Sequence, residues 1–174
     1  MSFLQRIFGG SDRRRTMAPL YRAVVAAGRD PSWYRQGEVP DTIDGRFDMV
    51  AAIMALTLLR LDDEGEAGRE PSVLLTELFV DDMEASLRQI GVGDYVVGKH
   101  VGRMMSALGG RLAAFRAARD EGGGLAGAVR RNIFHEAPPS EAAPHRVAER
   151  LDRFSAALDA RPFPELLAGR LPAL

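Results

Sequence analysis

WYRQGEVPDTIDGRFDMVAAIMALTLLRL, residues 33 to 61, holds the transition that decides the fold: turn chemistry gives way within a few residues to a helix with no polar side. Pro40 fixes its own φ and pushes Val39 toward extended geometry, so the chain cannot be helical there. The helix is expected from about Arg46, after Thr42 and Asp44, each of which can hydrogen-bond nearby backbone N–H groups. Asp44-Gly45 suits an N-cap followed by a permissive residue. Asp48 then falls in the first turn, where a carboxylate favours the positive helix end by roughly 0.3–1 kcal/mol. Nothing between Asp48 and Arg60 is charged. A helix apolar on all sides belongs at the centre of a bundle. Ordering the loop before it costs about 1–2 kcal/mol per residue, so Trp33, Tyr34, Val39 and Phe47 are expected to pin it to the core.

Outward from this stretch, helical periodicity continues in both directions, and no run of alternating β-branched residues interrupts it. A first helix is expected from near Ala18 to Ala27, with Pro19 in its opening turn and Gly28 ending it. After a charged connection from Asp62 to Glu70, Pro71 opens a third helix that ends at Gly91. Its apolar residues Leu74, Leu75, Leu78, Phe79, Val80, Met83, Leu87 and Ile90 cover more than half the circumference, an arc wide enough for several neighbours or for a partner. Gly91-Val92-Gly93-Asp94 is a helix-to-helix corner, with Gly91 suited to a left-handed C-cap and Asp94 to the next N-cap. In the following helix Val97, Val101, Met104, Leu108, Leu112 and Phe115 form one stripe. Gly98, Gly102 and Gly109 share a second face. Each interior glycine costs roughly 0.5–1 kcal/mol relative to alanine, so a closely packed backbone is expected against them. Lys99, Arg103 and His100 make a third face, either solvated or a basic site to which Arg130 and Arg131 would add cations. Beyond the Gly122–Gly124 linker, a short helix, a Pro138-Pro139 loop and an amphipathic helix carrying Val147, Leu151, Phe154 and Leu158 lead to a tail after Pro162 and Pro164. The expected class is all-α: a single-domain bundle of about six to seven helices, with a long ordered loop before the central helix.

Composition narrows the function. The chain has 174 residues and a net charge of -1, from 23 basic and 24 acidic side chains, so overall charge makes no case for nucleic acid. Cysteine is absent, which excludes disulfides and thiol chemistry and fits a cytoplasmic protein. The longest uncharged apolar run, Met49 to Leu59, is well short of the ~20 residues of a transmembrane helix. Residues 1–16 read as a separate tail, with residues 17–174 as the domain. Phe3, Leu4, Ile7 and Phe8 have helical spacing, and Arg13, Arg14 and Arg15 follow the Gly9-Gly10 break. This is either a frayed end or an interfacial segment touching anionic lipid.

Catalytic patterns are missing. His100, His135 and His145 lack metal-ligand spacing, and His135-Glu136 has no second histidine four residues after the first. Gly122–Gly124 lacks the lysine of a phosphate loop. Asp41, Asp44 and Asp48 lack the ligand pattern of a calcium hand, and turn formation and capping explain them better. No metal, no cofactor and no enzymatic activity is expected.

Three blocks carry a resemblance: WYRQGEVPDTIDGRFDMV from Trp33, FVDDMEASLRQIGVGDYVVGKHVGRM from Phe79, and the weaker LGGRLAAF from Leu108. Together they resemble the ubiquinol-cytochrome c chaperone family over roughly Trp33 to Phe115. The family often has a histidine where this chain has Ile53, and a more aromatic third block. The resemblance implies a binding protein that shields newly made cytochrome b during assembly of respiratory complex III. It also implies a position in the cytoplasm or peripherally at the inner face of the membrane, near the ribosome and a small partner subunit. Trp33, Tyr34, Phe79, Met83, Asp41, Arg46, Asp94, Lys99 and Arg103 are the candidate partner-binding residues. Asp41 and Asp94 also read as structural caps. The alternative is a helical adaptor or lipid-binding module sharing the fold alone.

Overall fold

The computed structural model describes residues 3–89, 91 and 93–174; at residues 3–12, 94 and 95 the backbone alone is described. Among the described residues there are helices and no strand: α1 (Phe3–Gly28), α2 (Ser32–Arg35), α3 (Ile43–Asp62), α4 (Glu66–Gln89), α5 (Asp94–Glu121), α6 (Ala126–Asn132), α7 (Ala143–Asp159) and α8 (Phe163–Leu167). The all-α bundle expected from periodicity is what forms, and α2 and α8 are single-turn pieces.

Helix α3 is the axis. Every residue from Asp48 to Leu61 is buried, and α1, α4, α5 and α7 pack around it. Large side chains such as Met49, Ile53, Met54, Leu56 and Leu59 are nearly or wholly enclosed. Burying each is worth about 1.5–3 kcal/mol, so the missing polar side of this helix is what gathers the others. The expected α7 stripe also packs inward, with Val147, Leu151, Phe154 and Leu158 all buried.

The start of α3 differs from expectation. Thr42, not Asp44, is the N-cap, and its hydroxyl accepts from the Gly45 N–H at 3.1 Å. The helix therefore begins at Ile43. Gly45 has a steric role as well, because a Cβ there would stand 2.0 Å from the Pro40 carbonyl oxygen. The preceding loop is pinned as anticipated: Trp33 is 0% and Val39 2% exposed. It is not wholly irregular, however, since Pro31 leads into the single turn of α2. Arg146 of α7 holds Glu38, whose φ of 58° is left-handed, and the Ser140 hydroxyl donates to the same carboxylate at 2.8 Å.

Four other expectations change. Helix α1 runs continuously from Phe3 through Pro19, because a proline removes one backbone donor yet leaves its neighbours free to bond within a helix supported by α3 and α4. Helix α4 likewise begins at Glu66, ahead of Pro71. On α5, no neighbour among the described residues comes within 4 Å of where a Cβ would stand at Gly98, Gly102 or Gly109, so none of their backbone packs closely there. Gly91 has the expected left-handed φ, 85°, and Gly93, not Asp94, is the N-cap of α5. Ile90 and Val92 lie outside the described residues.

These glycines respond oppositely to the same change. Gly109→Ala should raise the free energy of unfolding by about 0.5–1 kcal/mol. Gly45→Ala should lower it by about 1–3 kcal/mol through overpacking. Chemical denaturation read by circular dichroism checks both.

Candidate functional site

Two adjoining cavities open where α1 ends, α3 begins and α4 ends. One, of ≈ 340 Å³, is apolar, with Phe47, Val50, Met83, Leu87 and Met104 in its wall and Ile43 at its edge. The other, of ≈ 370 Å³, is polar and is lined by Arg29, Arg35, Arg46, Asp41, Tyr34 and Pro31. Arg29 and Arg46 line both.

Local sequence explains each placement. Gly28 closes α1 against α3 so tightly that a Cβ would stand 2.5 Å from the Val50 Cα, which sets Arg29 beside the groove. Arg46 and Phe47 are successive residues of the first turns of α3, so one faces the charged end and the other the apolar end. Ile43, in the first turn, is 69% exposed, a large apolar side chain left in water.

Arg46 Nε donates to Asp41 Oδ1 at 2.7 Å. That hydrogen bond holds the Asp41 carboxyl below the usual carboxylate range and raises Arg46. Tyr34 donates to the Gly28 carbonyl at 3.2 Å, and burial pushes its phenol up. Among the described residues neither Arg29 nor Arg35 has an ion-pair partner. The groove therefore presents apolar surface and unpaired positive charge side by side, together with one carboxylate.

The sequence-predicted residues divide. Tyr34, Asp41, Arg46 and Met83 line the groove. Phe79 lies behind it, 0% exposed, with its ring centroid 6.1 Å from that of Phe47. Trp33 is also enclosed, its indole N–H donating to the Ala27 carbonyl at 2.8 Å and the Arg150 guanidinium 4.3 Å above its ring. These two support the site from within. Lys99 and Arg103 are exposed on α5 and line neither cavity, and Arg103 contacts the His100 ring at 3.1 Å. The Asp94 side chain lies outside the described residues, as do those of Phe3, Leu4, Ile7 and Phe8. Arg13 pairs with Glu70 at 3.4 Å, and Arg14 with Asp81 at 3.0 Å and Glu77 at 3.6 Å. Arg130, considered as an added cation, pairs with Glu136 and Glu141.

Sequence reasoning did not single out Arg29, Arg35 or Met104 for a groove, and it read Asp48 as a first-turn helix charge. Asp48 is instead buried, accepting from Arg111 at 2.8 Å and from His135 at 2.9 Å. Arg111 also donates to the Asn132 carbonyl, so one cluster ties α3, α5 and the end of α6 together. Burial depresses Arg111, opposed by the charge of Asp48. A signal was present: Arg111 shares helical spacing with Leu108, Leu112 and Phe115, and a charge on a core stripe calls for a buried partner.

The family description Ubiquinol-cytochrome C chaperone matches residues 35–173. The chain belongs to that family. A crystal structure described as the Cbp3 homolog from Brucella abortus superposes with a TM-score of 0.80 at 28% identity, covering 99% of this chain and 97% of that one. No protein of curated function matches by sequence. Family membership thus extends past Phe115 through α6, α7 and α8, beyond the three blocks that first carried the resemblance. In this chaperone-family chain no helix among the described residues is long and apolar enough to cross a membrane, and no three or more His, Asp or Glu side chains there gather as metal ligands would.

Two measurements probe the supports of this groove. Arg111→Met alone strands the buried Asp48 and should cost about 3–5 kcal/mol of stability, whereas the double change Asp48→Leu with Arg111→Met should recover most of it. Equal losses in the two variants would contradict a stranded charge. The second concerns Asp30, which accepts from the Ser32 N–H at 2.9 Å and from its hydroxyl, and these bonds hold its carboxyl below the usual 3.8. Its stabilisation is fully present above that value and disappears as pH falls through the lower folded value. Asp30→Asn should therefore flatten the acid limb of a plot of urea midpoint against pH.

Proposed function

We propose that this protein is an assembly chaperone of respiratory complex III that holds newly made cytochrome b until its partner subunits arrive. The observation that carries the reading is an open apolar cavity next to unpaired arginines in a chain of the ubiquinol-cytochrome c chaperone family. A hydrophobic membrane-protein client can cover that surface, gaining about 25 cal/mol for each Å² of apolar area removed from water. Arg29, Arg35 and Arg46 would then orient its charged loops. Lys99 and Arg103, exposed on α5, are available to a second partner such as the ribosome or a small subunit. In the same reading Phe3, Leu4, Ile7, Phe8 and the arginines from Arg13 to Arg15 bring the chaperone to the inner face of the membrane, where clients emerge.

Deleting the gene in its host should lower the cytochrome b content of membranes and complex III activity together, with other respiratory complexes unchanged. Normal cytochrome b and complex III in the deletion strain would end the proposal. Flotation with anionic liposomes, with and without residues 1–15, tests the membrane contact separately.

A further inference from the structure

We infer that the paired cavities read one kind of client segment: a bulky apolar side chain followed within about one helical turn by a carboxylate. This rests on the chaperone reading above and says what the groove selects.

The first reason is adjacency. Arg29 and Arg46 belong to the walls of both cavities, so a group seated in the apolar end lies next to the guanidinium groups. On a client helix, side chains three or four positions apart share a face and can occupy the two ends at once.

The second is the chemistry of the apolar end. Met83 and Met104 both line it, together with Phe47, Val50 and Leu87. Methionine is unbranched and polarisable and repacks around side chains of different shape. A cavity of ≈ 340 Å³ is on the scale of large side chains rather than of an entire helix.

The third is charge. Three arginines and one aspartate line the polar end. Arg46 and Asp41 are exposed, at 59% and 56% of their side chains, so their bond is bathed in water and contributes little. A client carboxylate can share Arg46 and take Arg29 or Arg35 outright. Asp41 itself favours a polypeptide over a lipid phosphate. Its carboxylate can accept from the free backbone N–H groups in the first turn of a client helix, donors that a lipid phosphodiester lacks.

The probe is a fluorescein-labelled 15-residue helical peptide carrying a Leu-Phe anchor with glutamates three and four positions beyond the phenylalanine, compared with its glutamine counterpart by fluorescence anisotropy. The glutamate peptide should bind the wild-type protein about tenfold more tightly, and 0.5 M salt should remove the difference. Arg29→Gln with Arg35→Gln should abolish the preference, so that the glutamate peptide binds this variant no more tightly than its glutamine counterpart does. Met104→Lys should weaken both peptides. Equal binding of the two peptides by the wild-type protein would overturn the inference without any variant. So would phosphatidylglycerol vesicles displacing the glutamate peptide from wild type but not from the arginine double variant. In the host, the same double variant should lower cytochrome b. Full complex III in that strain, alongside its loss on deletion, would sink the selection rule and leave the chaperone reading standing.

Discussion

Helix α3 has no polar side, and the rest of the molecule is arranged around that constraint. A cylinder of methionine, leucine, isoleucine and alanine cannot face water, so α1, α4, α5 and α7 enclose it. Apolar contact is non-directional, however, and leaves the rotation of such a cylinder undetermined. Two buried ions near its ends supply direction. Asp48 is held by Arg111 and His135. Arg60 donates to the carbonyls of Leu158 and Arg161, both at 3.2 Å, and pairs with Glu64 at 2.6 Å. One end of α3 is thereby keyed to α5 and α6, and the other to the end of α7. Buried ion pairs add little net stability, yet a wrong rotation would strand them at a cost of several kcal/mol.

The same enclosure produces the groove. The enclosing helices have ends, and around the first turns of α3 they leave Phe47 only partly covered. Gly28 allows α1 to reach α3 before the chain turns, and Thr42 with Gly45 sets where α3 starts. The groove is thus a by-product of how the central helix is capped. Its arginines sit at the terminus of α1, at the end of α2 and in the first turns of α3, where side chains can be exposed without loss of core.

Residues that resemble a binding motif in sequence therefore serve two different purposes. Trp33 and Phe79 are enclosed and shape the groove from behind, whereas Tyr34, Asp41, Arg46 and Met83 line it. Hydrophobic and aromatic letters in a motif do not separate these roles, because both need apolar contact and only one needs solvent. The exposed glycines of α5 give a related lesson. A pattern of small residues on one face is compatible with tight packing, yet nothing packs there among the described residues.

The sequence by itself determined that the protein is all-α, that the helix expected from about Arg46 is its core, that the preceding loop is anchored by Trp33 and Val39, and that α7 turns Val147, Leu151, Phe154 and Leu158 inward. Periodicity, proline geometry and capping are local, and a single chain displays them directly. Three motif blocks also carried the family. Tertiary structure alone decided that α1 continues through Pro19, since neighbouring helices outweigh one lost hydrogen bond. It also joined Asp48 to Arg111 across 63 positions, and set Arg29 and Arg35 beside Met83 and Met104 in one groove. Those associations are made through space by packing around α3, and no spacing along the chain encodes them.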